Sequence, residues 1–431
     1  MGTPQPLDRA DREFVDRLTR FTLIILIVGQ SAAGYTDSDI WGHMAIGLDT
    51  LSAGHLLRVD PYSFTHDQPW INHEWLWDVI VATAYRAGGL RTLVVLKVAL
   101  VGAVLWYVHR ASDRAPGWVR TLTLCVVGIA CIGQWRSLRP QMATLALYAA
   151  LLSHIDAWWL PLLFVLWANV HGGWVFGLAA LAVHTAMHPT RKAVLITGLS
   201  AAATLLNPYG LHLWFAIADA AMRGWADVTE WQPIWRIAAG PEALVIWLAV
   251  AGFTAFLWRR LAPGPVRGWV WMAVTLAAAA NSRRLSALAA VTSALQLATL
   301  PQLTDMPVVR WTALRRGVAG GLIASAFAWG VIMLRPTADC FPPLPEWRAP
   351  EPSAVEFLRT TSATRLVPHF DYGEYAFFFL RDRMKVAIDN RRETVYSADA
   401  IQANQRFTEG RDPEYPDRIG ADAVWWPVSG T

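Results

Sequence analysis

The sequence predicts a polytopic α-helical membrane protein with about eleven transmembrane helices and a small C-terminal α/β extracytoplasmic domain. Three observations carry this. Hydrophobic residues make up 54% of the 431 and charged residues 16%, against roughly 25% charged in soluble domains. Apolar runs of near-bilayer length recur between residues 20 and 334. Beyond them come a proline-rich stretch and then alternating strand and helix patterns.

Taken in order, residues 1–19 are polar and charged and form a cytoplasmic tail. No small-residue cleavage site follows Phe21–Gly34, so the first span stays uncleaved. Candidate spans lie at 20–36, 89–109, 119–135, 140–154, 157–169, 172–188, 192–206, 242–259, 266–281, 284–301 and 315–334, together a transmembrane domain over 20–335. Segment 75–88 is apolar but short, carries Asp78 and Arg86, and is cut from the next span by Gly88-Gly89, so it reads as an outer helix leading into that span. This arrangement puts Arg110/Arg114/Arg120, Arg191/Lys192, Arg259/Arg260/Arg267 and Arg310/Arg315/Arg316 in cytoplasmic turns, which is the positive-inside pattern. The net charge of +4 has that origin and implies no nucleic-acid partner. Three cysteines, two of them inside an apolar run, give no disulfide framework.

The first external loop, 36–88, holds an apolar stripe of Ile40, Met44, Leu48 and Leu51 that fits a helix lying on the membrane surface. Asp60-Pro61-Tyr62-Ser63-Phe64 reads as a turn, and 207–241 as a second outer loop with a short helix at Leu211–Met222. Prolines stiffen the linker 336–352. The unit 353–431 reads strand, helix, strand, helix, strand near 364–369, 374–381, 384–388, 397–408 and 421–426. It looks undersized for a core of its own and reads either as truncated or as leaning on the membrane domain.

Seven polar motifs interrupt the apolar pattern, all on the outer side of this arrangement. They contain Asp37/Asp39, Asn72–Trp75, Arg136–Gln141, Asn169–Trp174, Asn207–Gly210, Glu230–Pro233 and Ser282–Arg284. Ionisable groups at membrane depth are costly and mark functional cavities. Asp37 and Asp39 point the same way in an extended segment and suit either a divalent cation or a carboxylate base; Asp39 equally suits capping a helix from Ile40. His43 suits orienting an aspartate, since no cysteine or second close histidine completes a zinc set. Glu74 suits a metal ligand or base, His73 a neighbouring contact and Trp75 a sugar-stacking ring, while Asn72 or Glu74 also suits a helix cap. Arg136 and Arg139, one turn apart, and Arg283 and Arg284 suit bidentate phosphate binding; snorkelling to headgroups explains single arginines. Asn169 and His171 precede two glycines that permit close backbone approach to a ligand. Asn207-Pro208-Tyr209-Gly210 reads as a turn. No P-loop or dinucleotide fingerprint occurs, so no nucleotide cofactor is expected.

An acidic Asp-x-Asp pair in the first external loop, many spans and an external C-terminal unit resemble the GT-C superfamily of membrane glycosyltransferases. More closely, Asp39-Ile40-Trp41-Gly42-His43, Asp60-Pro61-Tyr62-Ser63-Phe64, Asn72-His73-Glu74-Trp75-Leu76, Arg139-Pro140-Gln141, His171-Gly172-Gly173, Asn207-Pro208-Tyr209-Gly210, Asp371-Tyr372-Gly373-Glu374-Tyr375 and Ile388-Asp389-Asn390-Arg391 look like a set of bacterial GT-C-like proteins. The resemblance implies sugar transfer from a polyprenyl-phosphate carrier to a glycan, lipid or protein acceptor hydroxyl at the outer face of the bacterial inner membrane. It implies Asp37 and Asp39 as the first-loop acidic motif, one as base or both holding Mg2+ or Mn2+, with Arg139 and Arg283 or Arg284 facing the carrier phosphate. Two departures stand out: Trp41-Gly42 replaces a tryptophan pair, and Phe370-Asp371-Tyr372-Gly373 lacks the sequon-reading pattern of oligosaccharyltransferases. A non-catalytic protein binding lipid-linked saccharide on the same fold is the rival reading. A transporter is a further one, for which the sequence offers no internal repeat.

Overall fold

The computed structural model describes residues 9–32, 38–113, 115–222, 229–236, 241–261, 267–299, a few positions between 320 and 328, and 350–427. Asp37, most of the expected span at 315–334 and nearly all of the linker 336–352 lie outside the described residues.

The chain is mostly helical (71%), with one small sheet. Twelve helices precede the C-terminal unit among the described residues: α1 Arg9–Ala32, α2 Asp39–Ala53, α3 Trp75–Ala111, α4 Gly117–Trp135, α5 Pro140–Ser153, α6 Leu160–Val170, α7 Trp174–Met187, α8 Arg191–Ala203, α9 His212–Met222, α10 Pro241–Leu261, α11 Arg267–Asn281 and α12 Ser286–Leu295. Trp75–Ala111, Gly117–Trp135 and Glu242–Arg259 are long and apolar enough to cross a membrane; Leu160–Val170, Trp174–Met187 and Trp269–Asn281 are shorter apolar helices. Large apolar side chains such as Leu162, Leu199, Leu206 and Val245 stand exposed on the outside of this bundle, as a lipid-facing surface requires. The helix α1 corrects one expectation: the charged residues from Arg9 onward are continuous with the apolar ones in a single helix instead of forming a separate tail.

Within α3 the break falls at Gly88 and Gly89, whose backbone angles are non-helical. Gly89 has φ +64° and ψ −149°, a conformation closed to residues with a Cβ. Residues 75–87 are thereby turned away from the long apolar segment that follows.

The C-terminal unit opens with the helix Pro352–Thr360 and continues as β1 Arg365–Pro368, the helix Gly373–Leu380, β2 Lys385–Val386, the helices Ala398–Thr408 and Tyr415–Arg418, and β3 Ala423–Trp425. All pairing is parallel, in the order β2-β1-β3, which follows from joining each pair of strands through a helix. The segment after α2 completes the sheet. Ser63 bridges Val386 in parallel, Val386 N–H donates to Tyr62 O (2.9 Å) and Phe64 N–H to Val386 O (3.1 Å). Tyr62 and Trp70 share one apolar core with Leu366, Phe377 and Val386. The unit therefore borrows part of its core from residues about 300 positions earlier, in keeping with its small size.

One buried cation fastens the two parts. Arg391 makes a fork to Asp60 (2.8 and 3.1 Å) and another to Asp389 (2.8 and 2.7 Å). Its guanidinium lies 5.3 Å from the rings of Tyr62, Trp70 and Phe377. Asp60 also accepts the Tyr62 and Ser63 N–H groups, and Asp389 the Tyr396 hydroxyl.

Helix α2 corrects a second expectation, because it does not lie as a surface helix with one apolar stripe. Ile40 and Met44 are buried in the core shared with α3, while Ala45 and Ile46 are buried in the core of the C-terminal unit. Two glycines make the sandwich possible. A Cβ at Gly47 would strike the carbonyl of Asp78 on α3, and one at Gly42 the carboxylate of Glu374 on the opposite side. Trp41 packs edge-on to Tyr375 and Phe378, each 5.1 Å away.

Replacing Arg391 by Met leaves two buried carboxylates without their cation, which costs about 3–5 kcal/mol. Thermal unfolding of Arg391→Met in detergent is expected to show the loss, and Arg391→Lys to recover only part of it, since an ammonium cannot make both forks.

Candidate functional site

Each of the seven polar motifs supplies at least one residue to a connected network at one end of the helical bundle. Local sequence explains how each side chain is delivered. Asp39 stands in the first turn of α2, where the helix dipole favours a carboxylate; the N-cap is Ser38, so Asp39 does not cap the helix as one reading expected. Pro140 opens α5 and holds the preceding Arg139 extended (φ −127°, ψ 156°), which keeps the arginine out of the helix and aims it into the network. Glu74 is the residue before α3, and Asn72 accepts its N–H through Oδ1 (3.2 Å). His171 leaves α6 in extended geometry, and Gly173 permits contact with Thr144 and His171 that a side chain would block. Arg284 sits in the short 3₁₀ turn Arg283–Leu285 between α11 and α12.

The network has two halves. In the first, Arg139 Nη2 lies 3.4 Å from Asp39 Oδ2, and Arg139 Nη1 and Arg284 Nη1 approach the same Glu230 oxygen at 3.4 and 3.0 Å. Asn390, brought over by the C-terminal unit, donates to Asp39 Oδ1 (3.0 Å). Burial pushes the Asp39 carboxyl up, but Arg139, the Asn390 amide, His43 and Arg284 outweigh it and hold it below the usual carboxylate range. Asp39 is thus ionised at neutral pH.

In the second half, Glu74 faces three imidazoles: His73 Nε2 at 3.5 Å, His171 Nε2 at 3.6 Å and His43 Nε2 at 3.9 Å. His43 also bonds Asp78 through Nδ1 (2.6 Å), and Asn72 donates to the other Asp78 oxygen (2.7 Å). Burial lowers the His43 basicity, but Asp78, Glu74 and Asp39 raise it further, to about 9; His43 is an imidazolium between two carboxylates. His171 behaves oppositely. Burial takes it down to about 4 although Glu74 opposes this. Gly173 N–H donates to its Nδ1 (3.0 Å), and the Thr144 hydroxyl, itself receiving the Trp167 indole N–H (2.9 Å), lies 2.7 Å from the same atom. Nδ1 is therefore an acceptor, and the single proton of the neutral ring sits on Nε2, facing Glu74. Burial works to raise Glu74, yet its three imidazoles and Arg284 hold it below the usual range.

Of the residues expected from the sequence, Asp39, His43, His73, Glu74, Arg139, His171 and Arg284 come together. Trp75 and Asn169 bond to each other. The Trp75 indole donates to Asn169 Oδ1 (2.7 Å), and Asn169 Nδ2 donates to the carbonyls of Val165 and Leu206, a brace between α3, α6 and the end of α8. Arg283 pairs instead with Glu242 at the head of α10 (2.9 Å). Arg136 offers its backbone carbonyl to the buried Lys97 Nζ (2.7 Å). The Asn207–Gly210 turn forms as expected, and its Tyr209 hydroxyl accepts the Asn72 N–H (3.2 Å).

Three contributors have no role assigned from the sequence alone. Asp78 stands one helical turn after Glu74, a spacing that carried the signal. Glu230 was visible only as part of a polar motif. Asn390 meets Asp39 across 351 positions, which leaves no local trace.

The described part of the acidic motif does not by itself fit a divalent cation. One Asp39 oxygen accepts from an amide and the other faces a guanidinium. No group of three or more His, Cys, Asp or Glu side chains among the described residues is disposed to hold a metal ion.

The His43 charge gives a pH signature. With its folded value raised to about 9, its stabilisation is complete below the ordinary imidazole value of about 6.5 and disappears as pH rises through about 9. The unfolding temperature is expected to fall across that window, and His43→Asn to remove the fall. No family model matches this chain and no curated protein matches it; what the cluster can do follows from its own atoms.

Proposed function

We propose that the chain is a GT-C-type membrane glycosyltransferase that moves a sugar from a polyprenyl-phosphate carrier to an acceptor hydroxyl. In this reading about eleven helices cross the bacterial inner membrane. The N-terminus is cytoplasmic, and the cluster opens with the C-terminal unit on the outer face. The observation that carries it is the network itself: ionised carboxylates at Asp39 and Glu74 adjoin the guanidinium pair Arg139 and Arg284 at one end of an apolar bundle.

The chemistry divides along the two halves. Arg139 and Arg284 suit the carrier phosphate, whose charge grows as it leaves. The acceptor oxygen attacks the anomeric carbon as the bond from that carbon to the phosphate oxygen breaks. The phosphate departs with the bonding electrons, and the acceptor proton passes to Asp39. Glu74, with the donors His43 and His171 beside it, suits holding the hydroxyls of the sugar or acceptor. A metal has no step in this scheme.

The test is transfer by the purified protein in liposomes from a panel of radiolabelled polyprenyl-phosphate sugars, with Asp39→Asn and Glu74→Gln alongside. A base contributes about 10²–10⁴-fold, so Asp39→Asn is expected to lose transfer by at least the lower figure. Undiminished transfer in Asp39→Asn overturns the reading. Carrier binding without transfer across the panel supports the non-catalytic binding protein instead.

A further inference from the structure

We infer that Glu230 is a built-in occupant of the phosphate position: its carboxylate draws Arg139 and Arg284 together and gives way when a lipid-phosphate group binds. The inference rests on the reading above that this cluster takes a phosphorylated lipid, and adds the residue that regulates entry.

Glu230 lies on the 3₁₀ turn Thr229–Trp231, between α9 and α10. A single oxygen, Oε1, is shared by guanidinium nitrogens from two turns 145 positions apart in the chain, at 3.0 and 3.4 Å. Charge-assisted N–H···O bonds run nearer 2.7–2.9 Å, so this pairing is long. A terminal phosphate brings three oxygens and up to two charges to the same two forks and satisfies both arginines at once.

The comparison within the molecule is with Arg391. That cation and its two aspartates are almost wholly buried, with four bonds of 2.7–3.1 Å. Glu230 is 39% exposed, Arg139 26% and Arg284 16%, and an ion pair whose carboxylate is open to water is worth little. The first arrangement is a lock and the second is exchangeable.

The surroundings allow the exchange without unfolding the turn. Arg283 N–H donates to Gln232 O and Ile234 N–H to Ala280 O, each at 3.1 Å, so the backbone beside Glu230 is pinned and only the side chain has to swing. The Arg284 guanidinium lies 5.0 Å from the Trp231 ring, a cation–π contact that keeps the arginine in place when the carboxylate leaves.

The experiment is titration calorimetry on the full chain in detergent with farnesyl phosphate, inorganic phosphate and the uncharged farnesol as probes. Glu230→Gln keeps the side-chain shape and removes the competing charge. It is expected to bind farnesyl phosphate about two- to fivefold tighter than the parent, the worth of one exposed ion pair, while Arg284→Gln binds it more weakly and farnesol is unchanged throughout. A similar gain for inorganic phosphate identifies a free-phosphate site; a gain confined to farnesyl phosphate identifies a lipid headgroup site. Equal or weaker farnesyl phosphate binding by Glu230→Gln, with an unfolding temperature equal to the parent's, overturns the inference. So does a matching gain for farnesol, or the absence of farnesyl phosphate binding in both proteins. If Glu230→Gln is unstable, Glu230→Ala supplies the same comparison. Because no sugar transfer is measured, the inference survives a failed transfer assay and can fail where that assay succeeds.

Discussion

The buried fork-and-fork arrangement of Arg391 is the constraint on which the rest of this structure depends. A guanidinium between Asp60 and Asp389 ties the segment after α2 to the C-terminal unit. The pairing is costly to desolvate and therefore unforgiving of partial assembly. Three aromatic rings around the cation and the N–H groups donated to Asp60 satisfy what the ion pair alone leaves open. Its consequence reaches the candidate site: Asn390, the residue before the lock, donates to Asp39. The C-terminal unit is thus part of the site's wall. Its stability and the position of the carboxylate are coupled.

Helix α2 is the second link in that chain. It is gripped between α3 and the helix Gly373–Leu380, and the grip is close enough that Gly42 and Gly47 tolerate no side chain. Helices packed at such distances transmit small shifts directly. Asp39 and His43 both ride on α2, so the two halves of the polar network are held in mutual register by one rigid element. Glycine at position 42 has a physical reason here, because the Glu374 carboxylate occupies the space a side chain would take.

Charge alternation explains why so many ionisable groups coexist in one place. Glu230, Arg139 and Asp39 alternate in sign along one half, as do Asp78, His43 and Glu74 along the other. The histidines around Glu74 show how local bonding sets protonation. His43, bonded to a carboxylate, is charged; His171, with Nδ1 receiving a backbone N–H, is neutral. Identical side chains facing one carboxylate thereby become a cation and a neutral donor.

By itself the sequence determined the helical pattern, the break at Gly88-Gly89, the strand–helix alternation of the last 80 or so residues and the identity of most of the polar cluster. These are local properties. Apolar period, a proline before a helix and a glycine with positive φ act within a few residues of themselves, so they are legible in order along the chain. Arg139 before Pro140 and His171 before two glycines were legible for that reason. What only the tertiary structure decided was pairing. Trp75 and Asn169 have the chemistry of ligand contacts but satisfy each other. Arg283 and Arg284 are neighbours of one residue type, yet one is spent on Glu242 and the other faces the cluster. The borrowed strand at Tyr62–Phe64, the burial of both faces of α2 and the meeting of Asn390 with Asp39 depend on contacts between residues hundreds of positions apart. Such contacts are selected by shape and charge complementarity between finished elements, and no short stretch of sequence contains both partners.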